Sequence, residues 1–142
     1  MLERAFRSLP HGPEFRFLDR ITELDPGVSG AGEYWVKPDD SFLRGHFPNQ
    51  PLMPGVLMIE ALAQLAGAVA QSDPKLRPIP NLRLSAVRRV KFLGTAAPGH
   101  RLQIQARIIG RLGNLVQASG AVRVESRLLV EGELTLGGES EG

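Results

Sequence analysis

Two side chains that can move protons, His46 and Glu60, stand on either side of the motif Pro54-Gly55. Histidine is the side chain best suited to accept a proton at neutral pH, although a lone histidine is more often structural or exposed. A carboxyl group shielded from water is costly to ionise, and such groups often serve as catalytic acids. Together the two residue types predict acid–base chemistry, provided that the fold brings them to one place.

The helix that carries Glu60 is predicted from the apolar stretch after Pro54, and it should run to about Gln71. Proline is favoured at the first position of a helix. The polar side chains of this helix are Glu60, Gln64 and Gln71, whose spacings of four and seven put them on one face. The rest of the helix is apolar nearly all round, so we expect it to be buried on most sides. Glu60 facing solvent is the competing interpretation.

The other two polar residues of the stripe, Gln64 and Gln71, are not expected to take part in the chemistry. We expect Gln64 to orient Glu60 or to bind a backbone group, rather than to react. We expect Gln71 to be the exposed end of the stripe.

The start of this helix is a third feature that can take part in chemistry. The first turn of a helix carries backbone N–H groups without intrahelical partners and the positive end of the helix dipole. Gly55 has no side chain, so a carbonyl oxygen can approach its N–H closely. With an imidazole base and a shielded acid, this N–H completes the groups needed to abstract a proton beside a thioester carbonyl. That chemistry requires neither a metal nor a cofactor, and we expect none, because metal-ligand and nucleotide-binding motifs are absent from the sequence.

Alternation of apolar and polar residues predicts several antiparallel strands around the helix. The runs that we interpret as strands are 15–21, 28–36, 82–93, 102–108, 116–124 and 128–136. One long apolar helix with five or six strands predicts an α+β domain in which the sheet curls around a single central helix. The 142 residues, taken together as 1–142, fit one domain with its own core. Uncovered sheet edges make a dimer plausible.

Composition narrows the class of protein. The sequence contains no cysteine, which excludes disulfides and cysteine-held metals and fits a reducing cytoplasm. The longest apolar-rich stretch, 56–70, is too short and too polar for a membrane span. Between Lys75 and Arg127 there are eleven basic residues and one acid, which suggests an acidic partner or, more plainly, solvated strand faces. Nucleic acid is not the expected partner, because one Trp and one Tyr offer little for base stacking.

The stretch GHFPNQPLMPGVLMIEALAQLAG, residues 45–67, strongly resembles the β-hydroxyacyl-acyl-carrier-protein dehydratases of bacterial fatty-acid synthesis. Those proteins share a Gly-His-Phe-Pro loop, then Pro-Gly-Val-Leu, then Glu-Ala-(Leu/Met)-Ala-Gln on a central helix. Weaker likeness extends over nearly the whole chain, including Leu9-Pro10-His11 and the segments 15–20, 89–92 and 98–99. The resemblance implies the hot-dog fold, a curved antiparallel sheet around one long helix. It also implies active sites in acyl tunnels at a dimer interface.

The resemblance implies a role for each residue of the motif. His46 of one subunit would remove a proton from C2 of an (R)-3-hydroxyacyl thioester. The partner's Gly55 N–H would hold the thioester oxygen, and Glu60, oriented by Gln64, would protonate the departing hydroxyl. The residues expected to line the tunnel are Phe47, Val56 and Leu57.

The resemblance also names partners. Acyl carrier protein is small and acidic, so Arg88, Arg89 and Lys91 are candidates for docking it. The assembly would be a homodimer or a trimer of such dimers. With a glutamate at position 60, the chain resembles the branch of the family that dehydrates without moving the double bond. The isomerising branch usually has aspartate at that position. One departure from the family is Arg16, where an apolar residue is usual.

Two other functions remain as alternatives. A hot-dog thioesterase could use Glu60 to activate water, although His46 would then have no role. A non-catalytic acyl-binding module would be expected to have lost one of the two residues. The reaction product distinguishes them, because a dehydratase yields an enoyl thioester and a thioesterase yields a free acid.

Overall fold

The computed structural model describes residues 2–7, 9, 11–12, 15–45 and 51–139. Three helices and six strands follow one another along these residues. In chain order they are α1 (Leu2–Arg7), β1 (Arg20–Asp25), β2 (Ser29–Trp35), α2 (Phe42–Gly45), α3 (Gly55–Gln71), β3 (Arg83–Phe92), β4 (Arg101–Leu112), β5 (Leu115–Val124) and β6 (Arg127–Gly137).

The six strands form one sheet in the order β1-β2-β4-β5-β6-β3, and every neighbouring pair is antiparallel. The predicted α+β architecture with five or six antiparallel strands is therefore confirmed. Strands β1 and β3 form the two edges of this sheet. Eight of the ten residues of β3 are exposed, so this edge strand is open on both of its faces.

The helix α3 forms the core together with the inward side chains of the sheet. Eleven of its seventeen residues are buried, which confirms the expectation of a helix buried on most sides. The helix lies very close to the sheet at Gly120, where an added Cβ would stand 2.6 Å from Cδ2 of Leu62. Pro54 is the N-cap of α3, and the helix begins at Gly55. The sequence predicted Pro54 at the first helical position, one residue further into the helix.

The strand predicted over 15–21 is wrong for most of its length, because β1 begins only at Arg20. The reason is a competing set of hydrogen bonds. The backbone N–H of Phe17 donates to Oε1 of Gln64 at 2.8 Å, and the carbonyl of Phe15 accepts from Nε2 of Gln64 at 2.8 Å. A helix side chain therefore takes the place of a neighbouring strand as the partner of this segment.

Candidate active site

Glu60 lies on the second turn of α3, about 7.5 Å along the axis from Gly55 by the usual helical rise. Its side chain is 20% exposed. Two side-chain nitrogens approach the same carboxyl oxygen: Nε2 of His11 lies 3.3 Å from Oε1, and Nε2 of Gln64 lies 3.4 Å from it. The carboxyl is shielded, as the apolar helix predicts, but it is not isolated, because an imidazole from the N-terminal segment stands beside it.

Gln64 is buried, with 2% of its surface exposed, and its amide is fully used. Its oxygen accepts the N–H of Phe17, while its nitrogen is shared between the carbonyl of Phe15 and the carboxyl of Glu60. The two bonds to backbone are 2.8 Å long, much shorter than the 3.4 Å contact with Glu60. Both contacts expected of Gln64 are present, and the backbone contacts are the stronger ones.

A pocket of about 280 Å³ runs along α3 beside Glu60. The stripe of Glu60, Gln64 and Gln71 forms one wall, as the spacing predicts. Its polar lining residues include Glu60 and His11 near the helix start, and Asn81 and Arg83, which follow the loop that Gln71 holds at the helix end. The wall between them is apolar or small, and its members are Leu9, Ala63, Gly67, Ala68, Ile79, Leu82, Leu84 and Leu136.

Gln71 is not the exposed end of the stripe, and that prediction is wrong. Its Nε2 donates to the carbonyl of Ile79 at 2.8 Å, and its Oε1 accepts the N–H of Ile79 at 2.9 Å. The amide thus holds the loop that returns from α3 toward β3. The reason is that this loop folds back over the helix end, which no local pattern in the sequence indicates.

Gly55 is the first residue of α3, but the space beside it is occupied. An added Cβ would stand 2.6 and 2.7 Å from ring carbons of Phe92 on β3. Glycine is thus required here by the approach of an aromatic ring, whereas the sequence suggested an approach by a ligand.

The two predicted tunnel residues that follow Gly55 do not line the Glu60 pocket within one chain. Val56 is 68% exposed, and Leu57 packs against the core.

His46 and Phe47 lie outside the described residues. The segment that leads toward them is held by Tyr34, whose hydroxyl donates to Oδ2 of Asp40 at 2.8 Å. The same carboxyl oxygen accepts the N–H of Lys37 at 2.9 Å. Burial, followed by the hydrogen bond to Asp40, raises the pKa of Tyr34 well above its ordinary value near 10. This anchor fixes the backbone a few residues ahead of position 46.

The three docking candidates lie on the edge strand β3, away from the pocket. Arg89 and Lys91 each stand 3.9 Å from a glutamate of β6, Glu133 and Glu131 respectively. Arg89 and Lys91 line a groove across the sheet, and this groove shares no residue with the Glu60 pocket. Arg88 and Lys91 flank a β-bulge in which Arg89 has a φ of 54°, so the strand direction changes there.

Sequence reasoning missed two residues of the pocket, His11 and Arg83. The signal available for His11 is its place in the family-like stretch Leu9-Pro10-His11. Arg83 stands at the start of a strand with many basic residues, and nothing local separates it from the others.

Two negative findings bear on the chemistry of the described residues. Across them, no three His, Cys, Asp or Glu side chains are grouped so as to hold a metal ion. In the same part of the chain, no helix is long and apolar enough to cross a membrane.

Comparison with protein families gives a match over most of the chain. A family model described as a FabA-like domain matches residues 9–133. A curated relative from Roseiflexus sp. (strain RS-1), named 3-hydroxyacyl-[acyl-carrier-protein] dehydratase FabZ, is 37% identical over 141 residues, which cover 99% of this chain and 98% of the relative. Relatives with the same name from Syntrophotalea carbinolica and Bacillus velezensis are 37% and 35% identical, and each match covers 89% of this chain and 86% and 89% of the relative.

Solved structures show the same architecture. The dehydratase heterocomplex ApeI:P from Xenorhabdus doucetiae superposes with a TM-score of 0.81 at 20% identity, covering 96% of this chain and 91% of that one. Zebra fish thioesterase superfamily member 2 superposes with a TM-score of 0.71 at 13% identity, covering 96% and 94%. At such identities the likeness establishes the hot-dog fold alone, and that predicted fold is confirmed.

Proposed function

Since this chain belongs to the FabA-like family, in its FabZ branch of 3-hydroxyacyl-[acyl-carrier-protein] dehydratases, we propose that it converts (R)-3-hydroxyacyl-[acyl-carrier-protein] to the trans-2-enoyl product. The reaction belongs to the biosynthesis of fatty-acid or related acyl chains. One observation from the fold carries the proposal. The carboxyl of Glu60 stands in a pocket with a largely apolar wall, where it is only 20% exposed.

The reaction needs an acid and a base on either side of the C2–C3 bond. His46 takes the proton from C2, the electron pair of that C–H bond forms the C2=C3 double bond, and the C3–O bond breaks. Glu60 supplies a proton to the leaving oxygen, which departs as water. Negative charge that gathers on the thioester oxygen is met by the N–H of Gly55 at the positive end of α3. The catalyst is restored when the proton held by His46 returns, through solvent, to Glu60.

The pocket suggests which way the substrate enters. Between the Glu60 end and the Arg83 end, the helix advances about 16 Å from Glu60 to Gln71. Because the thioester oxygen is held at the Gly55 N–H, the thioester-bearing arm enters at the Gly55 end of the helix. The reacting carbons then lie beside Glu60, and the acyl tail runs past Gly67 toward Arg83. Arg88, Arg89 and Lys91 are the proposed docking residues for the acidic carrier.

We propose a homodimer in which β3 is the contact strand. This edge strand exposes Val87 and Phe92, at 48% and 55%, and Leu93, directly after it, is 56% exposed. At the nearby helix start Val56 is 68% exposed. Open strand edges with apolar side chains are commonly covered by a second chain. In the dimer, His46 of one subunit acts with Glu60 of the other. A trimer of these dimers is the larger assembly that light scattering would distinguish.

Three remaining features belong to the same proposal. The whole chain, 1–142, acts as one hot-dog domain, of which the family match covers residues 9–133. The reaction proceeds without a metal or cofactor, because acid, base and N–H groups supply all the proton transfers. The enzyme works in the cytoplasm, which the absence of cysteine fits.

The first experiment identifies the product. Purified protein is incubated with a 3-hydroxyacyl-carrier substrate, and the carrier-bound product is weighed by mass spectrometry. Loss of one water with the thioester intact supports the dehydratase, whereas release of a free acid and thiol would identify a thioesterase. His46→Ala and Glu60→Gln should each lower kcat by about 100-fold or more while leaving the oligomer folded. Wild-type turnover in both variants would overturn the mechanism.

The second experiment tests whether the site is shared between subunits. His46→Ala and Glu60→Gln chains are unfolded together and refolded, so that mixed dimers form. A mixed dimer contains one site with both His46 and Glu60 intact and one site with neither. Random mixing should restore about a quarter of wild-type activity if each site draws on two subunits. No recovery, with mixed dimers verified by differently tagged chains, would show that each site lies within one chain.

A further inference from the structure

The contact between His11 and Glu60 joins two residues that no local pattern in the chain connects. Nε2 of His11 lies 3.3 Å from Oε1 of Glu60, and the two side chains are 26% and 20% exposed. Partial shielding of both groups makes such a contact more effective than it would be at the surface. Among the described residues, Nδ1 of His11 is buried without a hydrogen-bond partner. Glu60 is therefore the group in the described structure that selects the Nε2–H tautomer of this imidazole.

Both neighbours of Glu60 act as donors to the same oxygen. The amide of Gln64 is oriented by backbone groups, because its oxygen accepts the N–H of Phe17 and its nitrogen faces the carbonyl of Phe15. Its remaining contact is therefore N–H to Oε1 of Glu60. With His11 donating to the same Oε1, the acid proton of Glu60 belongs on Oε2, the oxygen that no described residue engages.

The position of His11 is itself secured by several contacts. Its carbonyl accepts a hydrogen bond from Nη2 of Arg16 at 2.9 Å. The guanidinium of Arg16 also lies over the ring of Phe6, 5.1 Å from its centre. The imidazole stands 6.3 Å from the ring of Phe15, whose own N–H closes a turn onto Gly12 at 3.0 Å. Arg16 thus supports the segment that carries His11.

We propose that His11 is a positioning residue for Glu60, which holds Oε1 through its Nε2–H and so directs the acid proton onto Oε2. The catalytic part of this proposal rests on the proposed dehydration. Gln64 alone would hold the carboxyl through a single 3.4 Å contact. With His11 present, rotation of the carboxyl group would break two hydrogen bonds, so the proton-bearing oxygen stays directed at one point.

The test uses two substitutions of His11 in the full-length protein. His11→Gln retains an N–H donor at nearly the reach of Nε2, whereas His11→Leu removes the donor and retains the bulk. His11→Leu should lower kcat by about 10- to 100-fold, with KM changed by less than about threefold. His11→Gln should recover most of the lost kcat. His100→Gln, at a half-buried histidine outside the pocket, should behave like the wild type.

A merely structural role predicts a different pattern. Both His11 variants would then lose activity in proportion to a fall in Tm, without recovery by glutamine. That outcome would overturn the proposal, as would wild-type kcat in a folded His11→Leu variant.

A spectroscopic measurement separates this proposal from the proposed function and does not depend on His11 variants folding. Nitrogen NMR of labelled wild-type protein should show the Nε2–H tautomer of His11, with its signal identified by its loss in His11→Gln. Glu60→Leu should abolish that preference. An unchanged tautomer in Glu60→Leu would overturn the contact. If the wild type dehydrates no carrier substrate, the proposed function fails, while the tautomer measurement still decides whether His11 and Glu60 are coupled.

Discussion

The backbone N–H of Phe17 donates to the side-chain oxygen of Gln64 at 2.8 Å, although the two residues are 47 positions apart in the sequence. This bond fastens the N-terminal segment to the central helix beside Glu60. The carbonyl oxygen of Phe15 accepts a hydrogen bond from the nitrogen of the same side-chain amide. One buried side chain therefore decides both the course of the segment and the surroundings of the acid.

Gln64→Leu should destabilise the protein strongly. The N–H of Phe17 and the carbonyl of Phe15 would both lose their partner inside the protein. At about 1–3 kcal/mol for each unsatisfied group, the free energy of unfolding should fall by about 2 kcal/mol or more. Urea unfolding measures the change. Gln64→Glu, which retains the acceptor for Phe17, should lose less.

Gln117→Leu is the matched control, because Gln117 is exposed on β5. Its free energy of unfolding should change by less than about 0.5 kcal/mol. If Gln64→Leu were as stable as this control, the amide of Gln64 would not be what fastens the segment.

Gly67 lies inside α3 and lines the passage between Arg83 and Glu60. An added Cβ would meet only Cδ1 of Leu136, at 3.9 Å. Gly67→Ala should therefore raise the free energy of unfolding by about 0.5–1 kcal/mol, since alanine is the better helix former. Gly67→Leu should fill the passage and lower kcat/KM by about 10-fold for a 3-hydroxydecanoyl carrier, with a smaller loss for a 3-hydroxybutyryl carrier.

A selective loss is expected because only the longer acyl tail reaches Gly67. Equal losses for both substrates would show that the thioester-bearing arm, and not the acyl tail, lies along Gly67. As a control for tight packing, Gly120→Ala should destabilise, because its Cβ would stand 2.6 Å from Leu62.

Gly55→Ala separates two reasons for a glycine at the helix start. The new Cβ would collide with the ring of Phe92, at 2.6 and 2.7 Å, so the free energy of unfolding should fall by about 1 kcal/mol or more. Combining it with Phe92→Leu should recover stability. If a carbonyl oxygen must also approach the Gly55 N–H, the kcat of the Gly55→Ala/Phe92→Leu variant should remain about 10-fold below that of Phe92→Leu alone. Full recovery of kcat would leave only the packing reason.

Tyr34→Phe tests the anchor ahead of position 46. Loss of the hydrogen bond to Asp40 should lower the free energy of unfolding by about 1 kcal/mol at neutral pH. Because the folded pKa of Tyr34 is raised above its ordinary value near 10, the folded state keeps a proton that the unfolded chain releases. This contribution to stability is fully present below pH 10 and is lost as the pH rises above it.

The wild type should thus lose more stability above pH 10 than Tyr34→Phe does. The sequence has one tyrosine, so the ultraviolet absorbance of tyrosinate reports on Tyr34 alone. That absorbance should appear only together with unfolding. Its appearance in folded protein near pH 10 would contradict the buried, hydrogen-bonded hydroxyl.

Carrier docking is tested by charge reversal at two places on β3. The Arg88→Glu/Arg89→Glu double variant should raise KM for a carrier-bound substrate by about 10-fold and leave KM for a short free thioester nearly unchanged. Arg83→Glu, at the other end of the pocket, should have the smaller effect on KM. The reverse ranking would favour docking at Arg83. Equal effects on both substrates would exclude either docking site.

The limits of sequence reasoning are clearest at the N-terminal segment. Phe15 to Ile21 alternates in a way that predicts a strand, yet its first residues bond to Gln64 of the helix. Periodicity reports which side chains share a face, but not which distant group will satisfy the backbone. For the same reason Gln71 was expected to be exposed, whereas it holds Ile79.

Local pattern by itself determined the central helix, most of the strands and the stripe of Glu60, Gln64 and Gln71, because periods of 3.6 and 2 depend only on near neighbours. The motif over residues 45–67 further determined the family. Only the tertiary structure decided that His11 stands beside Glu60, that Phe92 covers Gly55, and that Arg83, but not Arg89, lines the pocket. Each of these contacts depends on how separate secondary-structure elements pack against one another, and no regular spacing along the chain encodes that packing.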